Sequence, residues 1–357
     1  MPPKLPGASL AYNQRVPLES SSEAWKKMVL RALPRPAWLA TDAPDHDVVV
    51  SSRYRIARNL HGERFPHHAD PDALRAILNQ VRQAAQTARL TLHSMGPLSE
   101  AERDYLLGAH FISVDFRHRD PGRAVLLDSD RVVSIMVNEE DHVRLQVLCA
   151  GWSMATAETT GRELIDQFGS HLRWMKDARL GFLTASPANC GEAFRRSALL
   201  HLIGLAETGR LKRMMKSLAA LGLISRGVYG ESSRAVGAFV QISATTGEPS
   251  DFRGAVQQLM REERLARREV RRLDLAEKTR EAVHYAVTQR SISLRDALLV
   301  LGWVRWAGSS DLPGYTLEPR AVDEWMATME LFGTQDAQVA ARHRADFLRQ
   351  RLEPLGR

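Results

Sequence analysis

Three apolar residues, Val48-Val49-Val50, run into the alternating stretch Ser51-Ser52-Arg53-Tyr54-Arg55-Ile56. β-branched residues leading into alternation predict a strand. Helical spacing follows at residues 71–88 and 99–107. Residues 124–127 and 132–137 read as paired strands joined at Asp128-Ser129-Asp130. Residues 154–168 read as a helix, 181–184 as a short strand turning at Pro187, 192–205 as an apolar helix, and 237–243 as another strand. Strands and helices mixed without regular βαβ alternation predict an α+β domain rather than a doubly wound sheet.

The pattern changes near residue 248. Residues 251–289 are charged and helical, and further helices are predicted at 293–306, 319–332 and 336–352, with no strand signal. The expected organisation is an N-terminal extension over 1–37, rich in Pro and Ser with one helix-like stretch at 22–33; a catalytic domain over 38–248; and a helical C-terminal domain over 249–357.

The 357 residues suffice for two domains. A 44% hydrophobic and 25% charged composition is that of a soluble globular protein. No apolar run approaches the roughly 20 residues of a membrane span. The opening Met1-Pro2-Pro3-Lys4-Leu5-Pro6-Gly7 has no apolar signal core. Cys149 and Cys190 make neither a disulfide framework nor a zinc-type CxxC pair, so the expected setting is the reducing cytoplasm. A net charge of +7 fits nucleic acid, an acidic partner or phosphorylated ligands as well as a solvated basic surface. The basic run over 261–272 reads as a solvated helix face.

Four constellations carry candidate chemistry. Arg53 and Arg55, two apart on a strand, project to one face, and paired guanidinium groups grip phosphate oxygens through forked hydrogen bonds. Asn138-Glu139-Glu140-Asp141-His142-Val143-Arg144 crowds three acids at the end of the strand Ile135-Met136-Val137. Ser186-Pro187-Ala188-Asn189-Cys190-Gly191-Glu192-Ala193-Phe194-Arg195 reads as a turn entering a helix, whose N-terminus would offer N–H groups to an anion and whose first turn would carry Arg195. Arg226-Gly227-Val228-Tyr229-Gly230-Glu231 reads as a loop freed by two glycines, with a charge at either end. No P-loop is present: the stretch from Gly204 to Gly209 continues as Arg210-Leu211. No GxGxxG opens a helix, no HExxH occurs, and the adjacent His67-His68 is a poor metal spacing.

In this order and spacing the four motifs resemble the phosphagen (guanido) kinase family, most closely its bacterial protein arginine kinase branch. The resemblance runs from about Trp38 to at least Ser243 and centres on Ser134-Ile135-Met136-Val137-Asn138-Glu139-Glu140-Asp141-His142-Val143-Arg144. It implies a mainly antiparallel sheet flanked by helices, and phosphoryl transfer from ATP with Mg²⁺ to a guanidinium nitrogen. By position, Arg53, Arg55, Arg144, Arg195 and Arg226 correspond to nucleotide-phosphate arginines, and Glu140 and Glu231 to the carboxylates that hold the guanidinium. The nucleotide-binding segments implied are Ser51, Ser52, Arg53, Tyr54 and Arg55; Arg195, Arg196, Ser197, Ala198 and Leu199; and Arg226, Gly227, Val228, Tyr229, Gly230 and Glu231. His110 corresponds to a nucleotide contact.

Three departures stand out. Ser186 occupies the place of the family's reactive cysteine and is counted with the catalytic residues. Gly191-Glu192-Ala193 replaces Gly-Thr-Gly, which sets a carboxylate near the expected phosphate site. Of the branch's C-terminal Arg-Asp-x-x-Arg-Ala segment, only Arg344 and Ala345 match. Only 50 residues precede Ser51, without the helical domain that small-molecule guanidino kinases carry there. The expected acceptors are therefore exposed arginines of proteins, as in the branch implicated in protein quality control, with a homodimer and an activator protein as further partners and no membrane or nucleic acid. The alternatives are a nucleotide-binding pseudokinase, suggested by Ser186 and Glu192, and a small-molecule guanidino kinase.

Overall fold

β1 (Val49–Arg58) lies inside an eight-stranded sheet. The structure, a computed structural model, describes residues 36–39, 43–117, 122–130, 132–227, 236–330 and 336–355; the stretch expected to be helical at 22–33 lies outside them. Across the sheet the order is β2 (Thr91–Ser94), β3 (Ala124–Leu127), β4 (Val133–Val137), β5 (Val143–Ala150), β1, β8 (Phe194–His201), β10 (Phe239–Ala244) and β9 (Ile224–Gly227). Every neighbouring pair is antiparallel. A separate hairpin pairs β6 (Lys176–Asp177) with β7 (Gly181–Phe182).

Alternation in β1 sorts the two faces. Ser52, Tyr54, Ile56 and Arg58 are buried, while Arg53 and Arg55 are half-buried. The buried set lies under α3 (Met154–Gly169), and the contact is close: a Cβ on Gly161 would lie 2.8 Å from a Tyr54 ring carbon, so only glycine admits the helix at this distance. α1 (Pro71–Ala85) and α6 (Pro249–Glu269) cover the same face. Ile77, Val81, Phe168, Val256 and Leu259 pack there with Leu145, Val147, Ala198, Leu200 and Ile242, each fully buried aliphatic contributing roughly 1.5–3 kcal/mol.

α6 therefore belongs to the core beneath the sheet, although it begins where a separate helical domain was expected. A second cluster gathers α7 (Arg272–Thr288), α8 (Leu294–Ser309), α9 (Pro319–Thr328) and α10 (Ala337–Leu352), and also takes in Trp38, Val50, Leu148 and Phe239. The continuous helix expected over 251–289 is broken at Val270, which is extended and packs against this second cluster. The chain changes cores at that residue.

The apolar helix expected over 192–205 is instead β8 followed by the short α4 (Ile203–Glu207). A run of apolar residues does not by itself distinguish a central strand from a buried helix. Here β8 is hydrogen-bonded on both sides, to β1 and β10. Arg195 thus rides on a strand, and no helix N-terminus follows Gly191. The amides that open α4, those of Gly204 and Leu205, donate to the buried Glu263 carboxylate at 2.8 and 2.9 Å.

Arg196, on the helix-covered face of β8, is 2% exposed and forks onto Glu158 of α3 at 3.0 and 2.6 Å. Replacing Glu158 by glutamine leaves that guanidinium buried without its counter-charge. The expected result is a loss of about 3 kcal/mol of unfolding free energy, read from urea midpoints at unchanged m-value.

On the opposite face, α2 (Glu100–Gly108) begins at a Ser99–Glu102 capping box. With Phe111 and Phe116 it covers Val125 and Met136, closing the β3–β4 end of the sheet. On the same face Leu148 of β5 and Leu199 of β8 pack against the second cluster, and Arg53, Arg55, Arg144, Arg195 and Gln241 beyond them are half-buried. At the start of β1 the register slips between Val49 and Ser51, a bulge that frees the Val50 carbonyl to accept Arg320 Nη1 at 2.7 Å and the Gly151 N–H at 3.2 Å.

Candidate functional site: an arginine face bordered by an acidic hairpin

Strand register puts five guanidinium groups on this face of the sheet. Arg55 stands opposite Arg195, and Ala57 opposite Arg144, so Arg53, Arg55, Arg144 and Arg195 share one side. Leu199 stands opposite Gln241, and Gln241 opposite Arg226, which brings Arg226 to the same side from the edge strand. From β5 to β9 there are four inter-strand spacings, about 19 Å. Side chains as long as arginine converge across such a span.

These cations repel one another. Burial, then Arg144 and Arg195, push the Arg53 guanidinium down to about 10. Burial pushes Arg55 well below the usual arginine range, and Arg53, Arg144 and Arg195 add to the effect, with Glu139 alone opposing it. Arg195 is lowered by burial, then by Arg226 and Arg144. Arg55 Nε is buried without a hydrogen-bond partner. Crowded, partly desolvated cations with donors left over can take up an anion; each guanidinium presents the fork that phosphate oxygens accept. Gln241 orients the set, accepting from Arg53 Nη2 at 2.8 Å and donating to Ser243 Oγ at 3.1 Å. Sequence reading passed Gln241 over, although a polar residue alternating with Val240 and Ile242 was the available signal.

The acidic hairpin between β4 and β5 gives its three carboxylates different partners. Glu139 is buried and receives Arg144 Nη1 at 2.5 Å, Ser113 Oγ at 2.6 Å and the Glu140 N–H at 3.0 Å. Burial pushes its carboxyl up, but Arg144, Ser113 and that N–H together hold it below the usual range. Asp141 is also buried, accepting from Asn59 Nδ2 at 2.6 Å and the Ala185 N–H at 2.8 Å; burial still leaves its carboxyl raised. Glu140 is exposed. Partial burial raises its pKa, with Asp141 and Glu139 adding to the effect and Arg144 and His67 opposing it. Asn138 makes the hairpin's sharp turn at φ 60°, its amide donating to the carbonyls of Leu74 and Gly122 at 2.9 and 2.8 Å. His142 locks the far side: its Nδ1 accepts the Leu60 N–H at 3.0 Å and its Nε2 donates to the Arg64 carbonyl at 2.8 Å.

The other expected residues divide by face. Ser51, Ser197 and Leu199 share the side of the arginines. Ser52 faces away, donating to the Gly151 carbonyl at 2.8 Å. Tyr54 lies under Gly161, Arg196 is held by Glu158, and Ala198 is fully buried in the helix-covered core. Those four side chains cannot reach a ligand on the arginine face, because adjacent strand residues point to opposite sides. His110, at φ 61°, closes the α2 side with its ring 5.5 Å from that of Trp38; burial and then Arg53 push it down to about 4, so it is neutral at pH 7. Ser186 precedes the single turn Pro187–Asn189, held by the Thr184 hydroxyl donating to its carbonyl at 2.8 Å. Glu192 acts electrostatically on Arg58 and Arg162, on the helix side. Val228, Tyr229, Gly230 and Glu231 lie outside the described residues; Gly227 ends β9. Arg344 is engaged internally, by Glu330 at 2.6 and 3.1 Å and by the Ile292 carbonyl at 2.5 Å.

Comparison with known proteins matches residues 73–264 to the family described as ATP:guanido phosphotransferase, C-terminal catalytic domain. A protein-arginine kinase of Halalkalibacterium halodurans is 34% identical over 283 residues, covering 75% of this chain and 80% of that protein. A protein-arginine kinase of Halothermothrix orenii is 36% identical over 240 residues, covering 64% and 69%. Among solved structures, lombricine kinase aligns with a TM-score of 0.54 at 22% identity, covering 68% of this chain and 77% of that one. The duplicated taurocyamine kinase of Schistosoma mansoni, solved with transition-state analogue components, aligns at 0.52 and 21% over 72% of this chain and 39% of that one. At those identities the structural likeness concerns the fold.

Proposed function

The chain belongs to the ATP:guanido phosphotransferase family, in its bacterial protein-arginine kinase branch, and on that premise we propose that it transfers the γ-phosphoryl group of ATP to arginine side chains of proteins. The observation that carries the proposal is the arginine face with one exposed carboxylate, Glu140, at its border.

An arginine guanidinium is protonated at ordinary pH and is a poor nucleophile. Glu140 holds its N–H groups, fixes its plane and takes a proton as the new bond forms. Glu231, its expected partner in this grip, lies outside the described residues. In the reaction a guanidinium nitrogen bonds to the γ-phosphorus and the bond to the β–γ bridging oxygen breaks. ADP departs, and one guanidinium proton passes to the carboxylate. Arg53, Arg55, Arg144, Arg195 and Arg226 bind the phosphates and stabilise charge on the migrating group. Glu139 and Gln241 fix Arg144 and Arg53 so that little reorganisation remains when charge develops. Alignment of this kind can supply on the order of 7–11 kcal/mol.

Mg²⁺ fits this site as a companion of the nucleotide: it would be held by phosphate oxygens and water, and it supplies charge neutralisation. Among the described residues no cluster of three or more metal-ligating side chains occurs, and the arginine face suits a triphosphate. Among the same residues no helix is long and apolar enough to cross a membrane.

Incubation with Mg-ATP and casein is expected to yield acid-labile phosphoarginine on the protein. Transfer only to free arginine or another small guanidine would overturn the acceptor assignment. ATP binding without transfer to either would overturn the kinase reading.

A further inference from the structure

We propose that Asn59 is a positioning residue that sets the hairpin of Glu140 and the turn of Ser186 in register with the strand of Arg53 and Arg55. Asn59 is the first residue after β1 and is fully buried. Its Oδ1 accepts the His142 N–H at 2.9 Å. Its Nδ2 donates to Asp141 at 2.6 Å and to the Leu183 carbonyl at 3.1 Å. The same Asp141 oxygen accepts the Ala185 N–H at 2.8 Å. Three segments separated by more than 80 and then 40 positions are thereby joined through one amide and one carboxylate.

The chemistry requires an amide. The position calls for one acceptor and two donors; aspartate has no donor when ionised, and leucine has neither. Without the amide the buried His142 N–H loses its acceptor and the buried Asp141 carboxylate loses one of its two donors. The next residue toward the arginines is the end of β1 itself, so a shift at Asn59 moves the acceptor carboxylate relative to the phosphate grip without touching either. Misplacement of about 1 Å lowers such reactions on the order of 10²-fold.

The kinetic part of the test rests on the proposed arginine phosphorylation; hydrogen exchange does not. Two full-length variants are compared with the wild type: Asn59→Ala and Asn59→Asp. In the aspartate variant two carboxylates face each other. The expected kcat for phosphorylation of casein falls by about 10²-fold in Asn59→Asp. The Kd for ATP stays within about twofold throughout. Amide exchange at 138–142 and 183–186 rises together in Asn59→Ala and Asn59→Asp while 53–56 stays protected.

Unchanged kcat in Asn59→Asp, or loss of ATP binding in step with kcat, would each overturn the inference, the latter by showing general damage. So would exchange that rises in only one of the two segments. An inactive wild type would refute the activity, and the exchange pattern would then decide the role of Asn59 alone.

Discussion

A Glu140→Gln variant is expected to bind ATP as the wild type does and to lose about 10²–10⁴-fold in kcat, the range for removing a positioned general base. Glutamine keeps the shape and one acceptor but neither takes the proton nor offsets the guanidinium charge. The neighbouring acids do not replace it: Glu139 is committed to Arg144 and Ser113, and Asp141 to Asn59 and the Ala185 amide. The pH profile supplies an independent check. Glu140 acts ionised, and its pKa is raised by burial and by Asp141 and Glu139. Activity therefore falls as pH drops through that raised value, so the acid limb of kcat/KM lies above the ordinary glutamate range. Glu140→Gln removes this limb from whatever rate remains. Retention of full kcat, or an acid limb that survives in the variant, would show that another group does this work.

The second large effect concerns Arg55. Replacing it by methionine keeps an unbranched side chain of similar reach but removes one member of a mutually repelling set. Without nucleotide the variant is expected to be more stable than the wild type, by about 1 kcal/mol, as when hydrophobic residues replace buried charge. With nucleotide the order reverses. Losing one desolvated charge partner costs about 2–5 kcal/mol of affinity, roughly 30-fold in Kd at the lower end and several thousandfold at the upper. A wild type at 100 times its Kd gains about 2.7 kcal/mol from the ligand, and the variant at the same concentration gains little. Thermal unfolding with and without Mg-ATP reads both halves. A variant less stable than the wild type without nucleotide would contradict the repulsion account.

The placement of the charged groups was more legible in the sequence than the scaffold. Arg53 and Arg55 could be paired on one face from alternation alone, and the crowded acids at 139–141 announced themselves. Arg195 was foreseen as a ligand group but set on a helix, because an apolar run over 194–205 satisfies both periodicities. Only hydrogen bonding to β1 and β10 decides for a strand, and those partners lie more than 130 residues earlier and 38–48 residues later in the chain. β5 was unseen for the same reason: Val143–Ala150 is buried on both faces and carries little alternation. Ser52, Tyr54, Arg196 and Ala198, assigned with their segments, turn their side chains to the helix-covered face, since a strand offers only every second side chain to one face. Asn59 gave no local signal. An asparagine after a strand reads as a turn former, and its value lies in three partners that the fold alone assembles.

The spatial order of the sheet also bears on how the chain is made. β1 is the earliest described strand, yet its two neighbours are β5 and β8. Roughly 140 residues separate its end from the end of β8, and at about 5–20 residues per second a ribosome takes about 7–30 s to deliver them. For that time β1 waits with at least one edge unpaired, and an exposed edge of Val, Tyr and Ile is an invitation to aggregate. Arg53, Arg55 and Arg58 punctuate that segment with charge. Two of these, Arg53 and Arg55, are the residues proposed to grip the nucleotide, and the same charges keep the nascent strand in solution until the last partner arrives.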